Sequence, residues 1–280
     1  MMTNSLKIKK IISKVLYYIF ALFLAFLICI PFFWMIVTSI KTSGAVMLLP
    51  VEWIPKHPSL DAYRKLFSID HFWSSVANSF YIAVFCTILR LLFASMAAFA
   101  LAKIKFRGSK IIFGVFITAL MIPSQTTFIP LFIIVGKLNL LNNLNAFLFL
   151  QFFNAFAIFM LYQKMQTIND AYIEAATIDG AGMWRVFFQI ILPLCPGTLA
   201  TLAILSFMDL WNDYLLPLVL LTDRANYTLP LILNSMQGQY SNQYNLMMAG
   251  SLLSIVPILV VYICAQKYFK EGLTVGGVKG

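Results

Sequence analysis

Charge is what this sequence has least of. Only 11% of its 280 residues are charged, while 61% are hydrophobic, and a soluble domain usually carries about 25% charged residues. Too little polar surface remains to cover such a chain in water. An ordinary soluble domain is therefore excluded, and lipid is the solvent for much of the molecule. Histidine is limited to His57 and His71, and no His/Asp/Glu cluster lies in the apolar stretches, so no catalytic constellation is legible. The four cysteines, Cys29, Cys86, Cys195 and Cys264, lie in or beside apolar runs without CxxC spacing. They read as small apolar packers rather than a disulfide framework or a zinc site. No GxxxxGK[ST] occurs, because Gly136-Lys137 is followed by leucine, so the chain lacks a recognisable phosphate-cradling loop.

Acids are scarcer than bases, ten against twenty, giving a net charge of +10. In a soluble protein that excess would suggest nucleic acid; here it reads as a topology signal, and no nucleic-acid partner is expected. Six apolar runs are long enough to cross about 30 Å of hydrocarbon: Val15–Val37, Val76–Ala102, Ile111–Val135, Asn145–Tyr162, Ile190–Leu221 and Met247–Ala265. The first is too long for a signal-peptide core and no small-residue cleavage site follows it, so it reads as a retained helix. The fifth exceeds one crossing, which implies a tilted or interfacial part.

With the N-terminus in the cytoplasm, the inner side holds thirteen basic residues: Lys7, Lys9, Lys10, Lys14, Lys103, Lys105, Arg107, Lys110, Lys164, Arg185, Lys267, Lys270 and Lys279. The outer side holds six: Lys41, Lys56, Arg64, Lys65, Lys137 and Arg224. This asymmetry places both termini in the cytoplasm. The expected organisation is an N-terminal segment with the first span and an external stretch (1–72), a core of five spans (73–266) and a cytoplasmic tail (267–280).

The longest inner loop reads QKMQTINDAYIEAATIDGAGMWRVFFQIILPLCP. Asp170 can cap a helix starting near Ala171, and Glu174 in its first turns suits the helix dipole. Ala175 and Ala176 favour helix, and Gly180 and Gly182 permit a sharp turn. A second amphipathic segment follows around Met183–Ile190, and Pro193 and Pro196 restrict the re-entry. Composition alone favours a plain interfacial helix between two spans over a protruding contact helix with small side chains and two acids.

Residue order separates these readings. Glu174, Ala175, Ala176, Asp179, Gly180, Ala181, Phe187, Ile190, Leu192, Pro193 and Pro196 stand in the spacing of a known signature. It resembles the EAA motif of binding-protein-dependent ABC importers. NSFYIAVFCTILRLLFASMAAFALAK, WNDYLLPLVLL and the ending QKYFKEGLTVGGVKG are similar to the shorter permease of the maltose-type carbohydrate importers. The resemblance spans nearly the whole chain. It implies an all-α, six-span type I importer permease in a bacterial-type cell membrane, without catalysis of its own. Its partners would be a second homologous permease, an ABC ATPase dimer carrying ATP and Mg, an extracytoplasmic solute-binding protein and membrane lipid. The ATPase-coupling residues would be Glu174, Ala175, Ala176, Asp179, Gly180 and Ala181. The tail, with Gly276, Gly277 and Lys279, would reach the ATPase, or else is a frayed terminus.

Polar side chains within the spans supply candidates for the solute pathway: Arg90, Gln125, Asn154, Trp211, Asn212, Asp213 and Tyr214, with Ser124, Thr126, Thr127 and Gln151 beside them. Each could equally make an interhelical hydrogen bond. Arg90 lies mid-span, where a charge costs on the order of 3 kcal/mol, so it needs a partner. It either pairs with Asp209 or offers a cationic point to an acidic sugar. The function expected is permeation of a sugar or oligosaccharide, with a polyol or glycerol-phosphate as the alternative. A secondary transporter would need ion-coupling acids and usually repeats; only Asp209 and Asp213 are available, and no repeat is seen.

Overall fold

The computed structural model describes residues 2–47, 50–239 and 243–274, and these contain no β-strand. They pack as two compact units: the chain up to Ile69 with Ser235–Ile255, and Asp70–Asn234 with the chain from Val256 onward.

The first unit begins with α1 (Met2–Ser39), in which Val37, Thr38 and Ser39 at the end are buried but the most apolar 18-residue window buries nothing within the chain. That is a workable surface only in hydrocarbon. Beyond it the chain folds back on a buried lysine. The Lys41 ammonium donates to the Glu52 carbonyl at 2.6 Å and lies 4.5 Å over the Trp34 ring. Trp34 meets Trp53 edge-on at 5.5 Å, and Asn245 donates to the Lys41 carbonyl at 3.0 Å. A short helix α2 (Asp61–Phe67) closes the segment.

The second unit is built on α3 (Phe72–Lys103), 32 residues without an internal glycine or proline. Next come α4 (Ser109–Ala119) and α5 (Phe128–Lys137), bent by 99° across a 3-10 turn at Ser124–Thr127. The expected straight span Ile111–Val135 is thus broken at Pro123, which donates no N–H. Thr126 and Thr127 hydroxyls donate to the Pro123 and Ser124 carbonyls at 2.7 and 2.6 Å, satisfying backbone that the break exposes.

The stretch expected as a fourth span, Asn145–Tyr162, divides into α6 (Asn145–Phe149) and α7 (Ala155–Gln166). Asn154 caps α7 by accepting from the Ala157 N–H at 2.9 Å. The loop after α7 carries α8 (Ala171–Ile178) and α9 (Met183–Val186), the latter running on through a π-turn to Leu194. An 81° bend at Pro196 opens α10 (Pro196–Trp211). The long fifth window Ile190–Leu221 therefore divides among the end of the stretch from α9, α10 itself and a separate short helix after Trp211. α11 (Leu215–Leu220), α12 (Leu229–Gln239) and α13 (Tyr244–Thr274) complete the described residues.

Among the described residues, three helical stretches are long and apolar enough to cross a membrane, Lys10–Ser39, Phe72–Lys103 and Tyr244–Cys264, and counting each bent pair as one span gives five. The core of the second unit forms where α7, α9 and α10 close on the C-terminal half of α3. Ala94, Ala98 and Phe99 meet Ile158, Leu161 and Met165, with Phe187, Ile191 and Leu202 behind them.

Candidate functional site

The segment that the sequence suggests for ATPase coupling starts where expected but is capped differently. Asp170 stands at the cap position of α8, yet its carboxylate makes no cap bond. Asn169 accepts from the Ala171 N–H at 3.0 Å instead. The Asp170 carboxylate is taken by the Lys103 ammonium, at 2.6 Å. That bond, and the charge behind it, hold the Asp170 carboxyl below the usual carboxylate range, so it stays ionised at neutral pH.

The far end of α8 closes as the glycines suggest. Gly180 adopts φ 76°, its N–H donates to the Thr177 carbonyl at 3.0 Å, and the Ala181 N–H reaches back to Ala176 at 2.9 Å. This is the paired C-terminal closure that a left-handed residue makes possible. A Cβ at Gly180 or at Gly182 would meet nothing within 4 Å, but Gly182 has an ordinary φ of −72°. Gly180→Ala is therefore expected to weaken the turn by about 1–2 kcal/mol, and Gly182→Ala to change it little. Faster amide hydrogen exchange over 176–181 in the first variant only is the expected reading; equal exchange in both would refute it.

The helix separates the two alanines of the motif. Ala176 is 7% exposed and packs into the chain's own core with Ile173 and Ala181 beside it, so it is unavailable to line a partner's cleft. Glu174, Ala175, Asp179 and Gly180 are exposed, and Ala181 is half-buried. Neither Glu174 nor Asp179 forms an ion pair among the described residues. Two further residues share the exposed surface, Tyr172 and the 86% exposed Ile178. Sequence reasoning passes over Ile178, although a bulky apolar residue beside Asp179 is the available signal. The tail residues Gly276, Gly277 and Lys279 lie outside the described residues.

Inside the second unit, Arg90 has its partner. Its Nη1 donates to Asp209 Oδ2 at 2.9 Å, and Gln151 Oε1 accepts from Nε at 2.9 Å and from Nη2 at 2.7 Å. All three guanidinium nitrogens are engaged. Arg90 is buried, while the Asp209 side chain is 68% exposed on the surface of the chain. The other pathway candidates have mainly local partners. Trp211 is fully buried, stacked on Phe207 at 5.8 Å and edge-on to Phe80 at 4.7 Å, so its faces are not open to a sugar. Asn212 donates to the Met208 carbonyl and Asp213 accepts from the Leu216 N–H, closing α10 and opening α11. The Tyr214 hydroxyl donates to Asn234 at 3.0 Å. Gln125 stays exposed at the break between α4 and α5, where its side-chain oxygen accepts from the Ser124 hydroxyl at 3.4 Å.

At the end of α3 away from Lys103, an open cleft of about 620 Å³ is lined by Asn78, Tyr81, Asn142, Asn143, Asn145 and Asn226. Much of its amide chemistry ties loops together. Asn78 donates to the Ala225 and Tyr227 carbonyls, and Asn142 accepts from the Thr222 and Asp223 N–H groups.

Residues 90–274 match the family model described as the binding-protein-dependent transport system inner membrane component. The chain belongs to that family. It is accordingly a multi-pass inner-membrane component of an ABC importer with the type I permease fold. It is 36% identical over 92% of its length to the arabinooligosaccharides transport system permease of Halalkalibacterium halodurans, covering 94% of that protein. It is 35% identical over 89% of its length to a probable starch degradation products transport system permease of Thermoanaerobacterium thermosulfurigenes, covering 91% of it. A chain in the crystal structure of a bacterial ABC transporter involved in the import of the acidic polysaccharide alginate superposes with a TM-score of 0.80 at 27% identity, with 94% of this chain and 97% of that one covered. The family match includes Arg90, the whole of α8 and α9, Asp209 and all of α13.

Proposed function

We propose that this chain is one permease of an ATP-driven importer of neutral oligosaccharides. It acts with a second homologous permease, an ABC ATPase dimer that binds ATP and Mg, and an extracytoplasmic binding protein. In this reading it crosses the membrane six times with both termini in the cytoplasm, the fourth crossing made by α6 and α7 together, and it catalyses nothing itself. The observation that carries the reading is the coupling segment: a capped helix, a left-handed glycine closure, and an exposed Glu174–Asp179 face within a chain that matches the importer family. The named relatives act on arabinooligosaccharides and starch degradation products, which supports carbohydrate.

Neutrality rests on Arg90. A cation available to a uronate would have to be unpaired, whereas this guanidinium is held by Asp209 and Gln151. No second observation favours a polyol, a glycerol-phosphate or an ion-coupled mechanism.

Affinity purification of the chain from native membranes in mild detergent, with each co-purifying polypeptide identified, tests the assembly. A P-loop ATPase and a second permease are expected. Recovery of the chain alone, under conditions that keep a known importer intact, would overturn the reading. The accompanying binding protein can then be screened against neutral and acidic sugars.

A further inference from the structure

The inner turn between α3 and α4 carries four basic residues, Lys103, Lys105, Arg107 and Lys110. As a topology signal they are equivalent, but in the structure they are not. Lys105, Arg107 and Lys110 are exposed, whereas the side chain of Lys103 is only 4% exposed. Its ammonium donates to the Ile168 carbonyl at 2.6 Å and to the Asp170 carboxylate at 2.6 Å. Both acceptors lie immediately before α8, 65 and 67 residues further along the chain. The Gln166 side chain adds a bond to the Ala102 carbonyl at 3.3 Å. The last turn of α3 is thus fastened to the first residues of the coupling segment by a buried cation.

Helix capping accounts for none of this. Asp170 is at the position where a carboxylate would ordinarily cap α8, and Asn169 takes that role instead. The acid is committed to Lys103. From Lys103, α3 runs unbroken to Arg90, thirteen residues away or about 20 Å along the axis. There it is held to α10 through Asp209 and to the break between α6 and α7 through Gln151. One rigid helix therefore carries a charged fastening at the coupling segment and a second one in the membrane interior.

The geometry points to Lys103 as a positioning residue that carries displacement of the coupling segment into α3 and so to the transmembrane core. This rests on the importer reading above, in which an ATPase docks on α8. Lys103 touches neither solute nor nucleotide. It makes two elements move as one, because an ammonium placed between a carbonyl and a carboxylate resists separation of those elements. Without it, α8 could follow the ATPase while α3 stayed behind.

The test uses the assembled importer reconstituted in proteoliposomes, with Lys103→Gln, Lys103→Arg and Asp170→Asn. Three quantities are read: ATPase retained on the permeases, ATP hydrolysed, and solute moved per ATP. Lys103→Gln is expected to retain the ATPase and hydrolyse near the wild-type rate while solute per ATP falls at least about tenfold, within the range usual for coupling between sites. Lys103→Arg should recover most of the loss. Asp170→Asn, which keeps the bond to the Ile168 carbonyl, should fall in between, and it carries the test if Lys103→Gln does not assemble. Unchanged solute per ATP in both Lys103→Gln and Asp170→Asn would overturn the proposal, as would equal impairment by glutamine and arginine. Absence of any ATPase on the wild-type permeases would instead fail the importer reading. In that event the link is read on the permease alone, where Lys103→Gln should speed amide exchange at 169–174 and unchanged exchange would refute it.

Discussion

Glu174→Ala is expected to insert and fold normally yet to lose most of its hold on the ATPase. The carboxylate projects from the exposed side of α8 without an ion-pair partner among the described residues, so its removal leaves the chain's own packing untouched. In the importer reading it meets a basic residue of the ATPase. Removing one member of an ion pair costs about 3–5 kcal/mol when the contact is buried and about 1 or less when it is exposed. The buried case corresponds to at least about a hundredfold in affinity. Titrating purified ATPase onto permease-containing membranes should show that shift, with a matching fall in solute uptake and an unchanged yield of inserted chain. Uptake at the wild-type level would show that Glu174 lies at the rim of the contact, and would move attention to Ile178 and Tyr172. A parallel loss of inserted chain would mean that Glu174 supports the fold.

The second large effect concerns the buried guanidinium. Asp209→Ala leaves Arg90 with Gln151 alone, a neutral acceptor that cannot balance its charge. A charge at the centre of a bilayer-spanning helix costs about 3 kcal/mol or more, and orphaning a buried partner costs about 3–5 kcal/mol. Asp209→Ala is therefore expected to lower the thermal midpoint of the detergent-solubilised permease clearly. The double variant Arg90→Met/Asp209→Leu should recover most of it, since an apolar pair of similar volume removes the unbalanced charge. An Asp209→Ala variant melting with wild type would show that the 68% exposed carboxylate contributes little to holding Arg90. If the double variant were no better than the single, the pair would have a role that volume alone does not replace. A shift toward acidic sugars in Asp209→Ala that disappears in the double variant would agree with the neutral reading, in which its pairing withholds Arg90 from a uronate.

Much of the coupling segment is legible in the amino-acid order by itself. Helix start, helix stop and glycine closure are local events: a polar residue at the start and a glycine able to take φ 76° act within a few residues of each other. Membrane residence is equally legible, because a run of about 20 apolar residues has no other comfortable solvent. The Arg90–Asp209 pairing is legible in part, since an intramembrane cation requires a partner and few acids are available.

What the tertiary structure decided were matters of which neighbour wins. Asp170 has the position and chemistry to cap α8 and is instead bound to Lys103, because α7 returns along α3 and brings a buried ammonium within reach. Ala175 and Ala176 read alike in sequence, yet one faces out and the other packs against the core, because successive helix residues point about 100° apart and only one can face a given neighbour. Trp211 has the chemistry to stack on a sugar and is claimed by Phe80 and Phe207. The breaks in the third and fourth runs fall where hydroxyl and amide side chains satisfy interrupted backbone or an arginine on another helix. Local composition therefore determined the membrane habit and the ends of the coupling helix. The partners of individual side chains followed from packing, because residues some 65 to 120 positions apart compete for them only once the helices have come together.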